Sequence, residues 1–132
     1  MIWLRKILFP LALLYWCVTF LRNWLYDIGM LKSQSFDIPV ITVGNLSVGG
    51  TGKTPLVIWL ADQLQLVGYK PGIISRGFGG QVKCVEEVFF DSNPQQVGDE
   101  PVLIAQRTAC PLFVGVNRVL AGRSLLKAYP EC

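Results

Sequence analysis

Residues 44–55 read Gly-Asn-Leu-Ser-Val-Gly-Gly-Thr-Gly-Lys-Thr-Pro. Glycines, a lysine and a hydroxyl in that order can hold a polyphosphate. Gly49, Gly50 and Gly52, with Thr51 among them, allow a turn tight enough to aim backbone N–H groups inward. Lys53 supplies a cation for the outer phosphates, and Thr54 a hydroxyl for Mg²⁺. A helix opening directly behind them would add the positive pole of its dipole. The pattern Gly-x-x-x-x-Gly-Lys-Ser/Thr is met except at its first position, where Ser47 replaces glycine. Serine is small and fits unless the backbone there requires positive φ. The competing reading, a plain glycine turn between strand and helix, leaves Gly-Lys-Thr without a purpose.

The surrounding elements suit such a loop. Ile38, Val40, Ile41, Thr42 and Val43 precede it as a β-branched run, which predicts a buried strand. After it, Leu56, Leu60 and Leu64 recur at four-residue spacing, with Trp59 and Val67 widening the stripe. That predicts an amphipathic helix, stopped by Gly68 and Pro71. Further strands are expected in "PGIIS", "CVEEVFF" and "CPLFVGV", and further helices in "EPVLIAQRT" and "RVLAGRSLLKAY". "DSNPQQVG" reads as a loop, and Asp91 in it as a turn residue rather than a metal ligand. Strands alternating with helices imply an α/β fold, a P-loop NTPase-like parallel sheet with flanking helices.

The chain has 132 residues, enough for one domain with a real core. Hydrophobic residues reach 52% against 16% charged, and much of that excess lies in the first thirty positions. Ile7 to Leu21 contains no charge, and as a helix it would be about 22 Å long. Arg5, Lys6 and Arg22 flank it, Trp3, Trp16, Trp24 and Tyr26 suit an interfacial belt, and Pro10 falls near its start. A membrane-anchoring helix within residues 1–31 explains apolarity on every side better than a signal peptide or a buried helix. Residues 38–132 would then form the P-loop domain, its amino-terminal part only. A net charge of +3 without a basic run argues against nucleic acid. Four scattered cysteines with no C-x-x-C read as reduced thiols, and the absence of histidine excludes any mechanism completed here by imidazole.

The loop alone also fits ATPases whose deviant version carries a lysine just before the two glycines, but Val48 stands there. More of the chain is specific. The N-terminal helix, "IPVITVGNLSVGGTGKTP", "GIISRGFGG", "VGDEPVLIAQRT" and "FVGVNRVLAGRSLL", in that order, resemble the tetraacyldisaccharide 4'-kinases of lipid A biosynthesis. The resemblance implies transfer of the γ-phosphoryl group of ATP, with Mg²⁺, to the 4'-hydroxyl of an acylated disaccharide 1-phosphate. It also implies an inner-membrane location with the globular part facing the cytoplasm.

On its own, Asp99 in "GDEP" is what helix capping selects. By resemblance it is the acid that assists a histidine in activating the sugar hydroxyl. Glu100 also matches the family, with a role left open. Arg76 in "SRGFGG" serves either a phosphate or a solvated turn. The family's paired metal-binding aspartates and its histidine fall beyond Cys132, so this stretch is expected to bind nucleotide but turn over little. The alternatives are a membrane-tethered nucleotide-binding remnant, or another membrane-associated P-loop ATPase.

Overall fold

The computed structural model describes residues 2–31, 34–44 and 52–132, with the side chains of residues 2–7 outside the description. Ser47, Val48, Gly49, Gly50 and Thr51 therefore lie outside the described residues. Contacts divide the chain into two units, Met1–Val40 and Ile41–Cys132.

In the first unit, α1 runs Ile2–Asp27. It extends beyond the charge-free run at both ends and is about 39 Å long at about 1.5 Å per residue. Residues Leu8–Asp27 form the one helical stretch, among the described residues, long and apolar enough to cross a bilayer, and none of it is buried within the protein. Trp16 stacks on Phe20 at 5.5 Å, and the Thr19 hydroxyl donates to the Tyr15 carbonyl at 2.7 Å. Pro10 is not at the helix start as expected but inside it, past the second turn. Its missing donor therefore leaves one carbonyl of the helix unbonded.

The second unit is built on a three-stranded sheet in the order β1 (Ile73–Ser75), β3 (Leu112–Val114), β2 (Glu86–Glu87). β1 pairs parallel to β3, with Ile73 opposite Leu112 and Ser75 opposite Val114. β2 pairs antiparallel to β3, so the sheet is mixed rather than all parallel. Around it lie α2 (Lys53–Leu66), α3 (Pro94–Val97), α4 (Asp99–Arg107) and α5 (Arg118–Ala128).

The central strand explains the layering. Side chains alternate across a strand. Leu112 and Val114 enter one cluster with Val88, Val97, Val102 and Ile104, against Val57 and Ile58 of α2. Phe113 enters the other, with Ala121 and Leu125 of α5. Leu112 and Val114 are completely buried, each contributing about 2 kcal/mol of apolar transfer. The Tyr129 ring meets Phe113 edge-on at 6.4 Å, and its hydroxyl donates to Glu87 at 2.6 Å, tying the end of α5 to β2.

Three further expectations need correction. Residues 38–44 are not a strand: they carry no ladder among the described residues, and Ile41 is 60% exposed. β-branched residues favour a pleat only when a neighbouring strand and a packed face are there to receive them. The packed face of α2 is also different. Leu56 and Trp59 are 49% and 58% exposed, while Ala61 is buried and Val57 and Ile58 meet the core. Residues 55–61 are apolar all round, so periodicity could not select the face. Finally, part of "DSNPQQVG" is helical. The Asn93 side chain accepts from the Gln95 amide at 3.0 Å and Pro94 opens the turn, the usual polar cap followed by proline.

The stop after α2 forms as expected. Gly68 has φ 91°, its amide bonds to the Gln65 carbonyl, and the Tyr69 amide bonds to Leu64, which is a Schellman closure.

Candidate functional site

Gly52 has φ 75° and ψ 24°, a left-handed conformation that glycine adopts without strain, and it directly precedes α2. Lys53 is the first residue of that helix and Thr54 the second. The lysine makes no ion pair or hydrogen bond among the described residues. It sits at the positive pole of α2, where a cation is electrostatically disfavoured in the absence of an anion. The loop amides expected around Gly49, Gly50 and Thr51 lie outside the described residues.

Thr54 is engaged. Its hydroxyl donates to Oε1 of Glu100 at 2.6 Å, across 46 residues of sequence, in a partly buried setting. Glu100 is the second residue of α4, so the pair joins the amino-terminal turns of two helices. Both helices point their positive poles at this spot, which is therefore suited to anionic groups. A hydroxyl that donates its proton to a carboxylate keeps its lone pairs for another partner. Two hard oxygen donors side by side are the chemistry that Mg²⁺ selects. The resemblance leaves the role of Glu100 open; only the fold brings it to Thr54.

Asp99 is the first residue of α4, exposed, and next to that pair. The capping position itself belongs to Gly98, and no side chain caps the helix. Asp99 therefore does not act as the cap, and it has no hydrogen-bond partner among the described residues. Its backbone is set by glycines. Gly98 has φ 98°, and a Cβ there would stand 2.7 Å from the Phe78 carbonyl oxygen. A Cβ on Gly77 (φ 72°) would stand 3.0 Å from the Val97 carbonyl oxygen, and one on Gly80 would meet the Gln96 oxygen at 2.5 Å. The turn "RGFGG" thus packs backbone to backbone against the turn that carries Asp99. Larger residues at these positions would push the two apart.

Asp91 lies in a turn, where the Phe89 amide bonds to the Ser92 hydroxyl at 2.9 Å. No group of three or more metal-ligating side chains occurs among the described residues. Beside Thr54, a cavity of about 400 Å³ runs between α2 and α4, with Trp59, Asp62 and Arg107 along it.

Gly52 in a left-handed turn leading into Lys53 and Thr54, with acids from a second helix start beside them on an α/β unit, is the arrangement of a phosphate-binding helix start. The backbone agrees with the crystal structure of LpxK from Aquifex aeolicus in complex with ATP. That likeness has a TM-score of 0.73 and 37% identity, covering 94% of this chain and 40% of that one.

The chain belongs to the tetraacyldisaccharide-1-P 4'-kinase family, whose sequence model matches residues 4–132. It is similar to the tetraacyldisaccharide 4'-kinase of Methylobacillus flagellatus, 53% identical over 97% of this chain, and to that of Nitrosococcus oceani, 49% identical over 97%. The chain spans 38% of the length of each of these relatives.

Proposed function

We propose that this chain supplies the nucleotide-binding part of a lipid kinase. The reaction is transfer of the γ-phosphoryl group of ATP to the 4'-hydroxyl of a tetraacyldisaccharide 1-phosphate. The observation that carries the reading is the Thr54–Glu100 pair at two converging helix starts, directly behind Lys53. The relatives' names and the ATP bound to the Aquifex aeolicus protein support the donor and the acceptor.

In this reading Lys53 neutralises the outer phosphates. Thr54 and Glu100 would hold Mg²⁺, which would offset charge on the phosphoryl group in transfer. The residues present fit that ion, since both donors are oxygen and one is anionic. Asp99, exposed and unengaged, accepts the proton of the attacking sugar hydroxyl or polarises it.

Incubation with ATP, Mg²⁺ and the detergent-dispersed acceptor tests this. Mass spectrometry of the lipid is expected to show one added phosphoryl group in a preparation of the family's full length, with residues 1–132 retaining nucleotide binding. ADP release at the same rate with and without lipid would instead identify an ATPase and end the kinase reading.

The second part of the proposal concerns location. An acylated disaccharide stays in the bilayer, so the site must work at headgroup level. Helix α1, exposed along Leu8–Asp27, is suited to insert and hold it there. The inner membrane, with the globular unit on the cytoplasmic side where ATP is available, is the proposed setting. Vesicle flotation is the check: the protein should rise with phospholipid vesicles and stay with them in high salt, since apolar insertion is not screened. Recovery of the protein in the soluble fraction would exclude the anchor.

A further inference from the structure

The cavity of about 400 Å³ between α2 and α4 has two ends. Thr54 and Pro55 line the end beside Glu100, and Asp62 and Arg107 line it farther along. Asp62 lies about 12 Å beyond Thr54 along α2, at about 1.5 Å per residue. Arg107, the last residue of α4, lies about 10 Å beyond Glu100 on the same basis. Asp62 is therefore out of reach of an ion held by Thr54 and Glu100.

Neither Asp62 nor Arg107 has a hydrogen bond or ion pair among the described residues, with the other or with any third group. An acid and a base that line one cavity without pairing present two opposite charges set apart. A simple ion satisfies one of them and is repelled by the other, whereas a zwitterion meets both. The walls between are apolar: Ile58 and Trp59 from α2, Leu103 from α4. Trp59 and Leu103 are exposed. An exposed indole beside charged groups suits the headgroup layer of a bilayer, where a ring is apolar at one end and wet at the other.

Resting on the reading that this kinase works at a bilayer surface, we infer that the α2–α4 groove binds the headgroup of a phospholipid carrying a phosphodiester and a primary ammonium. The Arg107 guanidinium donates to the phosphodiester oxygens. The Asp62 carboxylate accepts from the ammonium, which has N–H donors that a quaternary amine lacks. Trp59 and Leu103 take the first carbons of the lipid. The contact is separate from the acceptor and holds the globular unit against the headgroups.

The test follows the Trp59 indole N–H by NMR in the whole 132-residue chain, assigned by its loss in Trp59→Phe. In non-ionic detergent the probes are glycerophosphoethanolamine, glycerophosphocholine and glycerophosphoglycerol, headgroups without acyl chains that α1 cannot engage. The first is expected to shift the signal saturably and to bind about fivefold tighter than the other two. Asp62 and Arg107 are exposed, so Asp62→Asn and Arg107→Gln should fold normally, which matching thermal transitions would verify. Each is expected to weaken glycerophosphoethanolamine about fivefold. Asp62→Asn should leave glycerophosphoglycerol, which has no ammonium, within about twofold. In nanodiscs the signal should move when phosphatidylethanolamine replaces part of the phosphatidylcholine, and stay when phosphatidylglycerol does.

No saturable shift, equal affinities for the three headgroups, or unchanged affinity in both variants would overturn the inference. So would a response to the soluble headgroup with none in nanodiscs, which would assign the groove to a soluble zwitterion. ATP binding and vesicle flotation of the unaltered chain report on the underlying reading separately, since neither depends on Asp62 or Arg107.

Discussion

Lys53→Ala is expected to weaken ATP binding by roughly 10- to 100-fold while leaving the protein as stable as before. The first half follows from removing a charge-assisted contact, worth about 1.5–3 kcal/mol, at about 1.4 kcal/mol per decade of affinity. The second half follows from what Lys53 does in the absence of ligand. It has no partner among the described residues and stands at the positive pole of α2, so alanine removes an unfavourable charge and raises helix propensity. A residue that weakens its own helix needs a ligand to justify it. Calorimetric titration with ATP and a thermal melt on the same sample separate the two halves. Equal ATP affinity in the variant would show that the glycine turn serves no polyphosphate. A large fall in melting temperature would show instead that the lysine is structural.

Elements could be read from the sequence where local pattern and tertiary packing agree. "LFV" in β3 is apolar, short, and bounded by Pro111 and Gly115, and it becomes the buried centre of the sheet. Gly68 predicted the end of α2 because only a residue tolerant of positive φ closes that turn well. The run at 38–43 looks the same as β3 by composition, yet forms no strand, because pairing depends on a partner that local pattern does not specify. The direction of β2 was hidden for a similar reason: side-chain alternation is identical in parallel and antiparallel pairing. The inward face of α2 could not be chosen from a segment apolar on every side. In the site, Lys53 and Thr54 were legible because their spacing to the glycines is local. The partner of Thr54 was not, since 46 residues separate it from Glu100. Asp99 was legible as an acid at a helix start, but capping and chemistry share that signal. Only the placement of Gly98 at the cap separates them.

Glu100→Gln should leave metal-free ATP binding within about twofold but remove most of the additional affinity that Mg²⁺ confers, about 10- to 100-fold. Glutamine preserves the shape and an oxygen that can still accept from the Thr54 hydroxyl, so the 2.6 Å contact can survive. What it loses is the negative charge, and a divalent cation is far more sensitive to that than a neutral hydroxyl is. Glu100→Ala differs in kind, because it also strips the partly buried Thr54 hydroxyl of its acceptor, which costs about 1 kcal/mol of stability. Thr54→Val should resemble Glu100→Gln in the loss of Mg²⁺ response, since it removes the other oxygen. If the two residues act on one ion, the double variant Thr54→Val with Glu100→Gln loses less than the sum of the single losses, because one site can be destroyed only once. Titrating ATP with and without Mg²⁺ against all four proteins measures this coupling. Fully additive losses would mean that the carboxylate and the hydroxyl serve separate ends. The hydrogen bond between them would then be only a clasp joining α2 to α4.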